Sequence, residues 1–142
     1  MVTSAMQEKT CNLWIEKAEF RCILASGATN DDGEAILDSP IAKEACGRFA
    51  GLALDLGQLL NARGNRVHLI REGVVGFPVK QFQWGEPDLA VIVRSGHQLV
   101  KLVQDAKTLL PRPIGPSDAL SWEDVAKALD FLPDNIIIID HK

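Results

Sequence analysis

Two residues with reactive side chains, Lys80 and Asp118, each follow an apolar run of the sequence. Lys80 closes the run that begins at Val74, and Asp118 lies in a Pro/Gly-rich stretch that follows residues 108–110. The two strand ends could bring this amine and this carboxylate to the same rim of a cleft, where they can act as a nucleophile and a general acid/base. The alternatives are a solvated lysine at a strand exit and an aspartate that hydrogen-bonds its own turn.

The stretch around Asp118 has the construction of a ligand-binding turn. Residues 110–125 run from an apolar strand through a Pro/Gly loop into a helix. Ser121 and Asp124 have the spacing of a capping box, with an aspartate in the place of the usual acid. The sequence therefore predicts a helix that starts after Ser121, directly behind the loop.

Length and composition predict a single soluble domain. The chain has 142 residues, of which 46% are hydrophobic and 24% charged, enough to bury a sizeable core. The formal net charge is −4 and the signs are interspersed, which argues against strong general nucleic-acid binding but allows a local anion site. The apolar run from Ile136 to Ile139, like the others in the chain, is too short for a membrane span, and no signal sequence is evident. We expect a cytoplasmic protein without a membrane partner.

The cysteines and histidines show no pattern of a disulfide framework or a metal site. Cys11, Cys22 and Cys46 are odd in number and lack C-x-x-C spacing, so we expect small core residues. His68, His97 and His141 are far apart and form no paired-ligand motif. We predict no metal and no cofactor.

In the first half of the chain, the patterns predict strands followed by a helix. Residues 1–11 are expected to form a flexible N-terminus, and residues 12–142 a single domain. Strands are predicted at 13–15 and 21–25, and a loop at 29–34. Ser39 and Pro40 favour an N-cap and the first position of an amphipathic helix that continues to about Ala62.

In the second half, strands and helices alternate. An apolar hairpin is predicted over 66–70 and 74–79, and a helix over 87–106. A strand at 108–110, a helix from Ser121 that ends by Pro133, and a strand at 135–140 follow. This order predicts an α/β fold, a three-layer α/β/α sandwich with a mixed sheet of about five or six strands.

Several segments resemble, in the same order and spacing, the macrodomains, which bind ADP-ribose or remove it from modified proteins or nucleic acid. The resemblance covers roughly residues 12–140. The matching segments are Asn12-Leu13-Trp14, Ala42-Lys43-Glu44-Ala45 with Arg48-Phe49 and Gly51, Gly64-Asn65-Arg66-Val67, Phe77-Pro78-Val79-Lys80, the Asp88-Leu89 to Leu99-Val100 helix, and Leu110-Pro111-Arg112-Pro113 with Leu120-Ser121-Trp122-Glu123-Asp124-Val125.

Within this family the sequence is most similar to the branch of the terminal ADP-ribose protein glycohydrolase and the antitoxins that strip ADP-ribose from DNA. The resemblance implies catalytic roles for Lys80 and Asp118. In that glycohydrolase, a lysine at the position of Lys80 attacks the sugar, and an aspartate in the loop that contains Asp118 assists release. The implied mechanism adds the Lys80 amine at ribose C1″, with Asp118 as general acid/base.

The resemblance also assigns the ligand-facing loops, where this chain departs from the family. Asp38 and Pro40 replace the small residues of the first phosphate loop, and Pro116 lies in the second. Each proline removes an N–H donor, and Asp38 adds a like charge near the phosphate. The implied ligand-binding residues are Trp14, Ser26, Gly27, Ser39, Ile41, Ala42, Arg112, Ile114, Gly115 and Ser117.

Two functions remain open at this point. The first is a macrodomain that binds ADP-ribose or a related nucleotide, with or without glycohydrolase activity. The alternative is a degenerate, non-catalytic macrodomain that acts as a protein-interaction or other small-ligand module, with Trp84 as an interface anchor. For Trp14 the alternatives are a place in the lining of an adenine pocket and a place in the core. For Arg112 they are a contact with a phosphate and a solvated position in the loop. An open cleft near Ser26, Lys80 and Asp118 favours the first function.

Overall fold

The computed structural model describes residues 7–37, 39–82, 86–115 and 118–141. Its elements are six strands and four helices within these ranges. In chain order they are β1 (Gln7–Cys11), β2 (Phe20–Ser26), α1 (Pro40–Arg48), α2 (Leu52–Arg63), β3 (His68–Arg71), β4 (Val74–Lys80), α3 (Leu89–Val103), β5 (Thr108–Pro111), α4 (Trp122–Ala128) and β6 (Ile136–His141).

The six strands form one mixed sheet in the order β1-β6-β5-β2-β4-β3. All neighbouring pairs are parallel except the β3–β4 hairpin, which is antiparallel. Parallel neighbours have their carboxyl ends at the same edge of the sheet, so the carboxyl ends of β2, β4, β5 and β6 lie along one edge. Among the described helices, none is long and apolar enough to cross a membrane.

Helices cover both faces of the sheet, which confirms the predicted three-layer sandwich. Successive residues of β2 point to opposite faces because the side chains of a strand alternate. Cys22 packs in the core with α3 and α4, whereas Ile23 packs with residues of α1 and α2. Both are fully buried. A strand that is apolar on both faces is expected in a sheet covered on both sides.

The first strand lies in the region that was expected to be a flexible terminus. Residues 7–11 form β1, which pairs in parallel with β6. The strand is mostly exposed and has only one neighbour, so its pairing does not require an apolar alternation. Residues 13–15, predicted as a strand, form a turn in which Leu13 is buried and Ile15 is 79% exposed.

The single helix predicted from Ser39 to about Ala62 is instead two helices. α1 ends at Arg48, and α2 begins at Leu52 after Gly51, whose φ is +77°. A positive φ is readily adopted by glycine and interrupts the helical path. The apolar spacing continues across this break because Ala45 and Leu52 pack in one core cluster.

Helix α2 holds the segment that leads into α1 by a close backbone contact. A Cβ added to Gly57 would lie 1.8 Å from the carbonyl oxygen of Gly33. One turn earlier, the Ala35 N–H donates to the Ala53 carbonyl at 2.8 Å. Because a real Cβ cannot approach a backbone oxygen so closely, only glycine lets the segment before α1 lie against this helix.

We therefore expect Gly57→Ala to destabilise the protein, although alanine is the better helix former. The clash should cost about 1–3 kcal/mol, as overpacking does, and should exceed the gain in helix propensity of up to about 1 kcal/mol. Gly47→Ala in α1 is the matched control, since a Cβ there meets no atom within 4 Å. Chemical denaturation should show a lower midpoint for Gly57→Ala only. An equal or higher midpoint would contradict the close contact.

Candidate functional site

An open cleft of about 950 Å³ lies at the carboxyl ends of β2, β4, β5 and β6. Strands β2 and β5 are neighbours, and the chain continues from β2 towards β3 on one side and from β5 towards β6 on the other. Such a topological switch point is where open α/β sheets bind ligands. The volume is within the range of small-molecule sites. Polar and charged side chains in the lining are Ser26, Ser39, Lys80, Glu86, Arg112, Asp118, Ser121, Asp140 and His141.

Lys80 is placed in this cleft by the last residues of β4. The strand is buried from Val74 to Val79 and becomes half-buried only at Lys80. Its partner β3 reaches only to the level of Gly76, so the carbonyls further along need other donors. The Pro78 carbonyl accepts a hydrogen bond from the Ser95 hydroxyl at 2.7 Å. The Val79 carbonyl accepts one from the Asp88 N–H at 2.8 Å. The Lys80 carbonyl accepts one from Asn65 Nδ2 at 3.2 Å.

Ser26 lies beside Lys80 at the end of β2, where the strand register shifts by one residue. It is buried, and its hydroxyl accepts from the Ala28 N–H at 3.3 Å. Gly27 does not line the cleft but contacts the chain after β4. Its N–H donates to the Gln81 carbonyl at 3.2 Å, and a Cβ there would lie 2.7 Å from that oxygen. The structure thus gives Gly27 a packing role and brings Ser26 to the cleft.

The N-terminus of α1 borders the cleft with few free donors. Ser39 is the N-cap, and its hydroxyl accepts from the Ala42 N–H at 3.2 Å, while Pro40 occupies the first helical position. Ser39 and Ile41 line the cleft, whereas Ala42 is fully buried and does not. Since the Ala42 donor is already bonded and Pro40 has none, this turn offers less to an anion than a glycine-rich one would.

Two carboxylates accept hydrogen bonds from backbone N–H groups of the loop that follows β5. Asp118 accepts from the Gly115 N–H and donates its own N–H to the Gly115 carbonyl at 3.2 Å. These bonds fit the alternative in which Asp118 hydrogen-bonds its own turn, although the residue also lines the cleft. Glu86 Oε2 accepts from the Ala119 N–H at 3.1 Å. Sequence analysis missed Glu86, because the contact joins residues far apart in the chain.

Arg112 lies at the rim of the cleft, held by an acid and an aromatic ring. Its guanidinium carbon is 4.9 Å from the centre of the Trp122 ring, and its terminal nitrogen is 3.5 Å from Glu8 Oε1. The same Glu8 oxygen accepts from the Trp122 indole N–H at 3.1 Å. Arg112 Nε is buried and has no hydrogen-bond partner among the described residues.

Trp14 is not part of the cleft lining and packs against α1. Its indole N–H donates to Glu44 at 2.8 Å, and its ring is 6.1 Å from that of Phe49. Glu44 also lies 3.3 Å from Nε2 of His141, which does line the cleft. His141 Nδ1 accepts the Leu13 N–H at 3.0 Å, so these contacts connect the end of β6 to α1.

The described part of the lining is electrostatically mixed. Lys80 and Arg112 carry positive charge, and Glu86, Asp118 and Asp140 carry negative charge. Within the described residues, no ion pair joins Lys80 to a carboxylate, and no group of three or more His, Cys, Asp or Glu could hold a metal ion. Ile114 and Gly115 also line the cleft. Asp38, Trp84, Pro116 and Ser117 lie outside the described residues.

Comparison with solved structures identifies the fold. The macrodomain of Mycobacterium tuberculosis DarG matches with a TM-score of 0.72 and 17% identity, over 96% of this chain and 98% of that one. The macrodomain of Thermus aquaticus DarG gives 0.72 and 15%, with the same coverage. Thermosipho africanus DarTG in complex with ADP-ribose gives 0.68 and 9%, over 92% of this chain and 41% of that one.

The chain therefore has the macrodomain fold, as the order of its sequence segments predicted. No protein-family model matches the sequence, and no curated protein matches it. The fold is thus shared with these macrodomains at sequence identities of 9%, 15% and 17%.

Ser95 offers a test of how Lys80 is held. Its hydroxyl is fully buried and is the donor to the Pro78 carbonyl. Ser95→Ala leaves that carbonyl without this donor, so we expect the free energy of unfolding to fall by about 1–3 kcal/mol. Urea denaturation measures the change. An unaltered midpoint would show that the contact does not stabilise the end of β4.

Proposed function

We propose that this protein binds ADP-ribose or a closely related nucleotide in the cleft at the carboxyl edge of the sheet. The observation that carries the proposal is that an open cleft of about 950 Å³ brings Ser26, Lys80, Arg112 and Asp118 together. An occluded cleft would have favoured the alternative of a non-catalytic interaction module. The ADP-ribose complex of the Thermosipho africanus DarTG structure, which shares the fold, supports this choice of ligand.

The contacts at the cleft suggest how such a ligand is held. Arg112 directly follows β5, lines the cleft and has a buried Nε without a hydrogen-bond partner among the described residues. A guanidinium is well suited to a phosphate because its donors are planar and always charged. The Ser26 hydroxyl lies beside Lys80 and can hydrogen-bond a ribose hydroxyl. The apolar lining, including Ile41 and Ile114, suits the flat faces of a nucleoside.

Isothermal titration calorimetry with ADP-ribose tests this proposal. We expect a dissociation constant on the order of 1–100 µM. Arg112→Ala should weaken binding about tenfold, since hydrogen bonds to a charged group contribute about 1.5–3 kcal/mol. The matched control is Arg63→Ala, which changes an exposed arginine in the last turn of α2. Absence of binding by the wild-type protein at millimolar ADP-ribose would refute the proposed ligand.

We further propose ADP-ribosyl glycohydrolase activity through Lys80 and Asp118. The Lys80 amine, acting in its unprotonated form, bonds to ribose C1″ while the bond from C1″ to the modified group breaks, and that group leaves with the electron pair and takes a proton from the Asp118 carboxyl. The Asp118 carboxylate then accepts a proton from water as the water oxygen bonds to C1″, and the C1″–nitrogen bond breaks with its electron pair returning to Lys80. The presence of both side chains at one cleft supports this assignment.

Removal of the amine should separate binding from turnover. With ADP-ribosylated protein or DNA as substrate, we expect Lys80→Ala to lower the rate by about a hundredfold or more, whereas ADP-ribose affinity changes only a few-fold. Lys127→Ala is the control, because Lys127 is a largely exposed lysine on α4. Equal release of ADP-ribose by wild type and Lys80→Ala would exclude Lys80 as the nucleophile. The cytoplasmic location and the lack of strong general nucleic-acid binding stay predictions.

A further inference from the structure

We infer that Glu86 is a specificity-determining residue of the cleft, where its carboxylate occupies a donor that a ligand phosphate would use. This inference rests on the proposed nucleotide function and concerns which ligands the site favours. Glu86 precedes α3 and is exposed, yet its Oε2 accepts the Ala119 N–H at 3.1 Å across the cleft. Both residues line the cleft.

The loop after β5 is the part of the cleft where backbone donors and anions compete. Its Gly115 N–H is bonded to the Asp118 carboxylate, and its Ala119 N–H to that of Glu86. Backbone N–H groups of such a loop are the donors that receive anions in nucleotide sites. In this chain the protein's own carboxylates hold two of them, so a phosphate at the loop must replace a carboxylate or approach it as a like charge.

Among the described residues, no ion pair joins a cation to Glu86 or Asp118. Arg112 lies within 3.5 Å of Glu8 instead, and no described ion pair joins Lys80 or Arg112 to Glu86. Glu86 therefore disfavours an anionic group at this end of the cleft while leaving the uncharged parts of a nucleotide unaffected. Its effect on binding should depend on the charge of the ligand and should weaken with salt.

Glu86→Gln tests this role because glutamine retains an oxygen that can accept the Ala119 N–H but has no charge. We expect its affinity for ADP-ribose to rise about three- to fivefold at low salt, the scale of exposed charge interactions, with less gain at high salt. The affinity for adenosine, which has no phosphate, should stay the same. The matched control is Glu72→Gln, since Glu72 is an exposed glutamate in the β3–β4 turn at the opposite edge of the sheet.

Calorimetry on the three proteins, with thermal melting to establish that each is folded, separates the outcomes. A gain for ADP-ribose but not for adenosine, in Glu86→Gln alone, supports the inference. An unchanged or lower ADP-ribose affinity overturns it, as does an equal gain for both ligands. The wild-type titration by itself decides the proposed function, so the two failures are distinguishable.

Discussion

Parallel pairing of β2 with both β4 and β5 is the constraint on which the site depends. It brings the carboxyl ends of these strands to one edge, and with them Ser26, Lys80 and the loop after Pro111. The helices on the two faces bury most of the central strands, so the cleft forms at the edge, where the strands end. A change of neighbour or of strand direction would separate Lys80 from Asp118.

Hydrogen bonds beyond the regular ladder determine how the strand end is held. Once β3 has ended, Ser95, Asp88 and Asn65 supply donors for three successive carbonyls of β4. A buried carbonyl without a partner is costly. The position of Lys80 is therefore set by polar contacts from α3 and from the segment before β3, and these contacts are separate from the ligand-facing loops.

The cleft combines a preserved framework with an altered supply of anion donors. Three backbone N–H groups at the cleft donate to side chains of the protein. The Ala42 N–H donates to the Ser39 hydroxyl. The Gly115 N–H donates to the Asp118 carboxylate, and the Ala119 N–H donates to the Glu86 carboxylate. These bonds occupy three backbone N–H groups, so an anion that uses one of them has to displace a side chain of the protein. If the proposed ligand binds here, contacts to its nucleoside and ribose have to contribute as much as contacts to its diphosphate.

The sequence by itself determined the layer architecture and most elements, because strand and helix periodicities such as those of β4 and α3 are local properties of the chain. It also indicated Lys80 and Asp118 through their places after apolar runs, and Ser26 through the resemblance to the macrodomains. Only the tertiary structure decided that residues 7–11 pair as an edge strand, that Gly51 divides the predicted helix, and that Trp14 packs on α1. It alone placed Glu86 on the Ala119 N–H, since that bond joins residues 33 positions apart, and no local pattern encodes a contact between distant loops.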